Sequence, residues 1–124
     1  MATLVFDIET VGEDWNTLDD TTQEMLLRWV ERSAHTDDER EAGRKDVQEG
    51  LGFSPLTGMI VAIGLFDVER RQGVVYHQNE QTVSDIEYGD FVLKSRTEKE
   101  MLEDFWEGAK CYDTFVTFNG RGFD

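Results

Sequence analysis

Two carboxylates separated by a single residue, Asp7 and Glu9, stand near the start of the chain, at the end of the apolar run Leu4-Val5-Phe6-Asp7-Ile8. The run is β-branched and aromatic, with Gly12 after it, and predicts a buried strand. Side chains alternate along a strand, so Asp7 and Glu9 project to the same face. Two like charges held together in a sheet and unpaired cost on the order of several kcal/mol and push at least one pKa upward. A divalent cation removes the conflict. Oxygen-only donors suit Mg²⁺ or Mn²⁺, whereas zinc and copper sites more often recruit His or Cys. His35 and His77 have no ligand-pair spacing, and Cys111, the single cysteine, can form neither an internal disulfide nor a thiolate cluster. It reads as a packing or surface residue.

A second run that could carry chemistry closes the chain, Asn119-Gly120-Arg121-Gly122-Phe123-Asp124. It follows the strand-like Thr114-Phe115-Val116-Thr117-Phe118, so its first four residues read as a loop and Phe123-Asp124 as the entry to a helix. There the helix dipole would favour an ionised Asp124. A bare D-x-E is most often a solvated strand end, and a lone acid at a helix start is often only that. Their positions after two apolar strands make a joint site the sharper reading. Arg121 is by default an exposed loop arginine, with phosphate contact as the functional alternative, and Phe123 reads as core.

The elements that must position these residues follow from periodicity. Met25, Leu26, Trp29 and Val30 predict one face of a helix, capped by Thr17 or a neighbouring Asp. Thr36 to Glu49 is dominated by charge, so a helix there would have little to bury, and about residues 14–50 read as an exposed, charged helical insertion. Met59 to Phe66 and Gly73 to His77 predict an antiparallel hairpin. Gln78 to Asp90 reads as a polar connection. Thr97-Glu98-Lys99-Glu100 fits a capping box, followed by a core-facing stripe of Met101, Leu102, Phe105, Trp106 and Ala109. The order of elements predicts an α/β domain, a mixed sheet with helices packed against it and chemistry beside its central strand ends.

Composition narrows the classes further. A chain of 124 residues, 39% hydrophobic, is one small globular domain. No run approaches the roughly 20 apolar residues of a membrane span, and the amino terminus lacks a secretory pattern, so a cytoplasmic location is expected. With 27 Asp plus Glu against 12 Lys plus Arg, the net charge of −15 argues against tight nonspecific binding to duplex nucleic acid. An enzyme gripping a strand end through metal ions needs only a local cationic site.

Phe6-Asp7-Ile8-Glu9-Thr10 resembles the first motif of the DEDD superfamily, the ribonuclease H-like 3′-5′ exonucleases that include polymerase proofreading domains. Asn119 to Asp124 resembles the N-x-x-x-F-D second motif of family B DNA polymerases and their stand-alone relatives, as does Ser54-Pro55-Leu56-Thr57-Gly58 ahead of Met59. The resemblance implies a ribonuclease H-like mixed sheet, incomplete at its carboxyl end, with residues 1–124 as the first part of an exonuclease domain. It implies that Asp7, Glu9 and Asp124 are catalytic metal ligands, that the backbone of Thr10 and Val11 lies near the terminal nucleotide, and that Asn119 orders the strand being cut. The family's fourth acid belongs to a later Tyr-x-x-x-Asp or His-x-x-x-Asp motif, and the sequence ends before one. In such two-metal sites one ion generates hydroxide and the other stabilises the leaving oxygen.

The expected activity is therefore hydrolysis at the 3′ end of single-stranded nucleic acid, DNA or RNA, with two Mg²⁺ or Mn²⁺ ions. The alternative is a noncatalytic ribonuclease H-like module that binds a metal or protein partner without cutting. A nucleotide-binding or phosphatase-type α/β domain would need a phosphate loop, and Asn119 to Gly122 lacks the Walker lysine. An uncovered apolar sheet face is expected to allow a homodimer.

Overall fold

The computed structural model describes residues 1–81 and 83–123. It divides into two compact units, residues 1–9 with 60–124, and residues 10–59. The strands and helices are β1 (Thr3–Gly12), α1 (Asp20–Ser33), α2 (Asp37–Glu49), β2 (Gly58–Asp67), β3 (Gln72–His77), β4 (Ile86–Tyr88), β5 (Phe91–Ser95), α3 (Glu98–Ala109) and β6 (Thr114–Val116). The strands form one six-stranded sheet in the order β4-β5-β3-β2-β1-β6. With β2–β3 and β4–β5 antiparallel and β3–β5 and β1–β6 parallel, the sheet is mixed and the protein is α/β.

In the first unit the hairpin runs in the register Ala62↔His77 to Asp67↔Gln72, as the alternating apolar runs on either side of a polar turn require. α3 begins with the full capping box. Glu100 N donates to Thr97 Oγ1 at 3.2 Å, and Thr97 N donates to Glu100 Oε1 at 3.0 Å. The first turn is tied to β2 because Ile60 N donates to Glu98 Oε2 at 2.5 Å. Met101 of α3 is fully buried against Ile63 and Tyr76, with Ile8, Ile60, Leu65, Val74 and Phe105 around them. Phe6 meets Phe105 edge-on at 5.2 Å, which fixes β1 beneath the helix. Trp106, expected in the core stripe, is instead 65% exposed. Met101, Phe105 and Ala109 fill the contact at spacings of four, and Trp106 falls one residue beyond it.

Three expectations are corrected in this unit. The polar connection Gln78 to Asp90 contains β4, and β5 follows directly, an edge pair that the sequence reading missed. Phe91-Val92-Leu93 is the apolar signal, too short to stand out, and its parallel pairing with β3 supplies the missing stability. β6 stops at Val116, two residues earlier than expected. Phe123 lies in a turn and not in a helix, while Asp124 lies outside the described residues.

The second unit is built on α1 and α2. Asp19, not Thr17, caps α1, accepting from Thr22 N at 2.6 Å. Val30 is buried and Leu26 and Leu27 are half-buried, but Met25 and Trp29 are exposed, so the expected apolar face is rotated. The charged segment forms a full helix although none of its residues is buried. Thr36 caps it, three acids fill its first turn, and Arg40 and Arg44 reach Glu31 of α1 at 3.2 and 2.8 Å. Gly43 lets α2 approach Val30, since a Cβ there would lie 2.7 Å from Val30 Cγ1.

Candidate functional site

Along β1, Leu4 and Phe6 are buried and Ile8 is half-buried on the side that α3 covers, while Asp7 and Glu9 are both exposed on the other. The strand thus uses its alternation as the sequence predicts, placing two carboxylates together on one face. They are not buried. Among the described residues neither carboxylate takes part in a side-chain hydrogen bond or an ion pair.

β6 runs parallel to β1 in the register Thr3↔Thr114, Leu4↔Phe115 and Val5↔Val116. Parallel neighbours deliver their carboxyl ends to the same edge of a sheet, where α/β proteins place ligands. Two residues beyond the last pair on each strand stand Asp7 and Phe118. The segment after β6 then closes a tight turn. Gly122 N and Phe123 N both donate to Asn119 O, at 3.1 and 2.8 Å. The turn needs its first glycine, because a Cβ at Gly120 would collide with Thr117 Oγ1. Phe118 is 97% exposed, and Arg121, also exposed, has no ion-pair partner among the described residues. Phe6, Phe115, Thr117, Phe118, Asn119 and Arg121 are among the residues lining an open cavity of about 670 Å³.

Thr10 and Val11 fall in the second unit. The Thr10 hydroxyl donates to Gly52 O at 2.5 Å, so this side chain secures the chain locally, and Val11 is exposed. Gly12 and Gly52 lie back to back, a Cβ on Gly12 meeting Gly52 N at 2.7 Å. Glu13 N donates to Thr57 O at 2.9 Å, which ties the end of β1 to the Ser54–Gly58 turn.

Among the described residues no group of three or more His, Cys, Asp and Glu side chains could hold a metal ion. Asp7 and Glu9 supply two donors, and Asp124, the third acid expected, lies outside the described residues. The chemistry of those two donors fits a hard, oxygen-seeking cation, being carboxylate-only, exposed and unpartnered. His77 Nδ1 lies 3.2 Å from Asn79 Oδ1, and His35 falls in the connection between α1 and α2. Cys111 is exposed. No helix among the described residues is long and apolar enough to cross a membrane.

The sequence reading missed the exposed aromatic Phe118, which it had placed inside a strand. The signal was the glycine pair two residues on, which pulls the chain away from β1 before Phe118 can pair. No protein-family model matches the chain, and no curated protein matches it.

Proposed function

We propose that the chain carries the catalytic end of a ribonuclease H-like 3′-5′ exonuclease domain, hydrolysing phosphodiester bonds at the 3′ end of single-stranded nucleic acid, DNA in the first place. The observation that carries this reading is the pair Asp7 and Glu9, exposed and without a partner among the described residues, on one face of β1 at the sheet edge to which the parallel β6 leads the Asn119 turn. Asp7 and Glu9 hold Mg²⁺ or Mn²⁺ through oxygen, with Asp124 completing the set as the motif resemblance implies. When bound, such ions activate water and stabilise charge on the scissile phosphate. Asn119 orders the substrate strand beside the carboxylates, and Arg121, without an ion-pair partner among the described residues, offers phosphate a cation on an otherwise acidic chain. Thr10 and Val11, next in sequence after Glu9, keep the terminal-nucleotide role given by the motif.

The test is release of labelled mononucleotide from a 3′-end-labelled single strand with Mg²⁺ or Mn²⁺, by this chain and by any longer native form, beside Asp7→Ala. Cutting by the parent and none by Asp7→Ala supports the reading. Metal binding with no release in any form favours the noncatalytic module instead. A cytoplasmic location belongs to the same proposal. So does self-association through an apolar sheet surface, of which the exposed Phe115 on β6 is part. Light scattering that finds only monomer at high concentration would remove that part.

A further inference from the structure

A cavity of about 870 Å³ opens in the first unit, between α3 and the sheet. A row of paired residues across four strands lines it, with Glu87 opposite Val92, Val92 beside Val74 and Val74 opposite Leu65. Tyr76, next on this face of β3 after Val74, lines it as well, with Phe105 and Gly108 of α3. Tyr76 is only 9% exposed, and its hydroxyl makes no hydrogen bond among the described residues. The oxygen is nevertheless not sealed from solvent, so a buried residue offers the cavity an unanswered polar group. Burial, then the Asp104 carboxylate, pushes this phenol above its ordinary 10.0, which keeps it protonated at neutral pH.

Four acids line the cavity, Asp67, Glu87, Asp90 and Asp104, against two cations, Arg70 and Arg71. Both arginines belong to the β2–β3 turn, where Arg70 stands 3.9 Å from Asp67. The other cations near Tyr76 are Lys94, its partner in register on β5, and Arg96, which lies 3.7 Å from both Asp85 and Asp104. Neither lines the cavity, and 3.7 Å is beyond hydrogen-bond reach. Among the described residues Glu87 and Asp104 accept no side-chain hydrogen bond. The end of the cavity away from the turn is thus rich in acceptors and poor in donors.

We propose that this cavity binds a small organic amine, whose ammonium donates to the Tyr76 hydroxyl oxygen and is drawn by Asp104 and Glu87 while its apolar body lies on Leu65, Val74, Val92 and Phe105. An ammonium brings three donors and no acceptor, which is what this end of the cavity lacks. An apolar floor with a few convergent polar groups is the usual construction of a small-molecule site. A small anion is disfavoured, because the carboxylates outnumber the arginines, which are confined to the turn. A divalent ion is disfavoured too, since no three ligating side chains among the described residues come together to hold one. The proposal does not rest on Asp7 and Glu9, which stand on the opposite face of β1 from the side that α3 covers.

The experiment titrates the full chain with phenethylamine by calorimetry at physiological ionic strength, where diffuse attraction to an acidic protein is screened. The neutral 2-phenylethanol and the anionic 3-phenylpropionate serve as competitors of like shape. Phenethylamine is expected to saturate one site, and the alcohol to bind about tenfold more weakly or less well still, for want of the charge. Tyr76→Phe, which keeps the packed ring and removes the hydroxyl, should weaken the amine about tenfold. Glu87→Gln, at the exposed sheet edge where folding is not at stake, should weaken it about threefold, as an exposed ion pair does. Glu107→Gln removes the same charge from α3 at a position that does not line the cavity, and should bind like the parent. Thermal melts confirm that each variant is folded. The proposal is overturned if the parent shows no saturable site, if the alcohol or the acid binds as well as the amine, if folded Tyr76→Phe binds like the parent, or if Glu107→Gln loses as much as Glu87→Gln.

Discussion

Tyr112, just beyond α3, donates its hydroxyl to Asp67 Oδ2 at 2.8 Å, clasping the end of β2 across 45 residues of sequence. The clasp sets a pH window. The Arg70 backbone amide, then the Tyr112 hydroxyl, hold the Asp67 carboxyl below its ordinary value, while burial, then the bond to Asp67, raises the Tyr112 phenol above its ordinary 10.0. A lowered carboxylate contributes stability above its unfolded pKa that is lost as pH falls through the folded one. A raised phenol contributes stability below its unfolded pKa that is lost as pH rises through the folded one.

Tyr112→Phe is therefore expected to lower Tm at neutral pH and to flatten part of the fall in Tm above pH 10. Some of the alkaline fall remains, because burial raises Tyr76 as well. Much of the acid fall also remains, since the Arg70 amide is the larger influence on Asp67. Thermal melts from acid to alkaline pH check this, and an unchanged alkaline limb would sink it.

Two helical glycines should respond in opposite directions. At Gly43 a Cβ would lie 2.7 Å from Val30 Cγ1, whereas at Gly108 nothing lies within 4 Å. Alanine is favoured over glycine inside a helix by about 1 kcal/mol, and overpacking costs about 1–3 kcal/mol. Gly108→Ala should stabilise by up to about 1 kcal/mol. Gly43→Ala should be neutral to destabilising by about 2 kcal/mol, and Val30→Ala in the same chain should recover part of that loss. Urea unfolding of the two single variants and the double variant measures the coupling.

The anchor of α3 gives a larger effect than its cap. Met101 is fully buried in the centre of the core, so Met101→Ala should cost about 2–5 kcal/mol through the cavity it leaves. Thr97→Ala removes one half of the capping box and should cost about 1 kcal/mol. If the cap proved the costlier of the two in denaturant melts, the packing drawn around Met101 would be wrong.

How far the sequence exposed this arrangement depends on whether local or distant partners decide each element. β1, the β2–β3 hairpin and α3 were legible because their patterns are strong by themselves, a period of two in the strands and a capping box ahead of a four-residue repeat. α2 was only half legible. Its helix depends on the Thr36 cap and on Arg40 and Arg44 meeting Glu31 on another helix, which charge composition alone conceals. Trp29 was misplaced because its spacing to Val30 says that a face exists but not which way it turns; Gly43 decides that. β4 and β5 were hidden by their length and depend on pairing with β3. The carboxylate pair was legible down to its shared face, but its exposure was not, since nothing in a D-x-E tells which side of a sheet a helix covers.

That exposure separates a metal site from a structural one. Among the described residues Asp7 and Glu9 touch no cation, so replacing one removes repulsion and none of the described contacts. Asp7→Asn should leave stability unchanged or slightly higher, within about 0.5 kcal/mol, as for other surface changes. Its Mn²⁺ affinity, read by calorimetry or by paramagnetic relaxation of water, should fall about tenfold or more, one charged ligand lost being worth more than about 1.4 kcal/mol at such a site. Glu9→Gln should behave alike, and the double variant should bind no Mn²⁺ there. A decorative strand end gives the opposite pattern, with the same small stability change and Mn²⁺ binding identical in parent and variants. Because the stability readout is the same under both readings, a drop in metal affinity cannot be blamed on unfolding, and it assigns the two carboxylates to the cation.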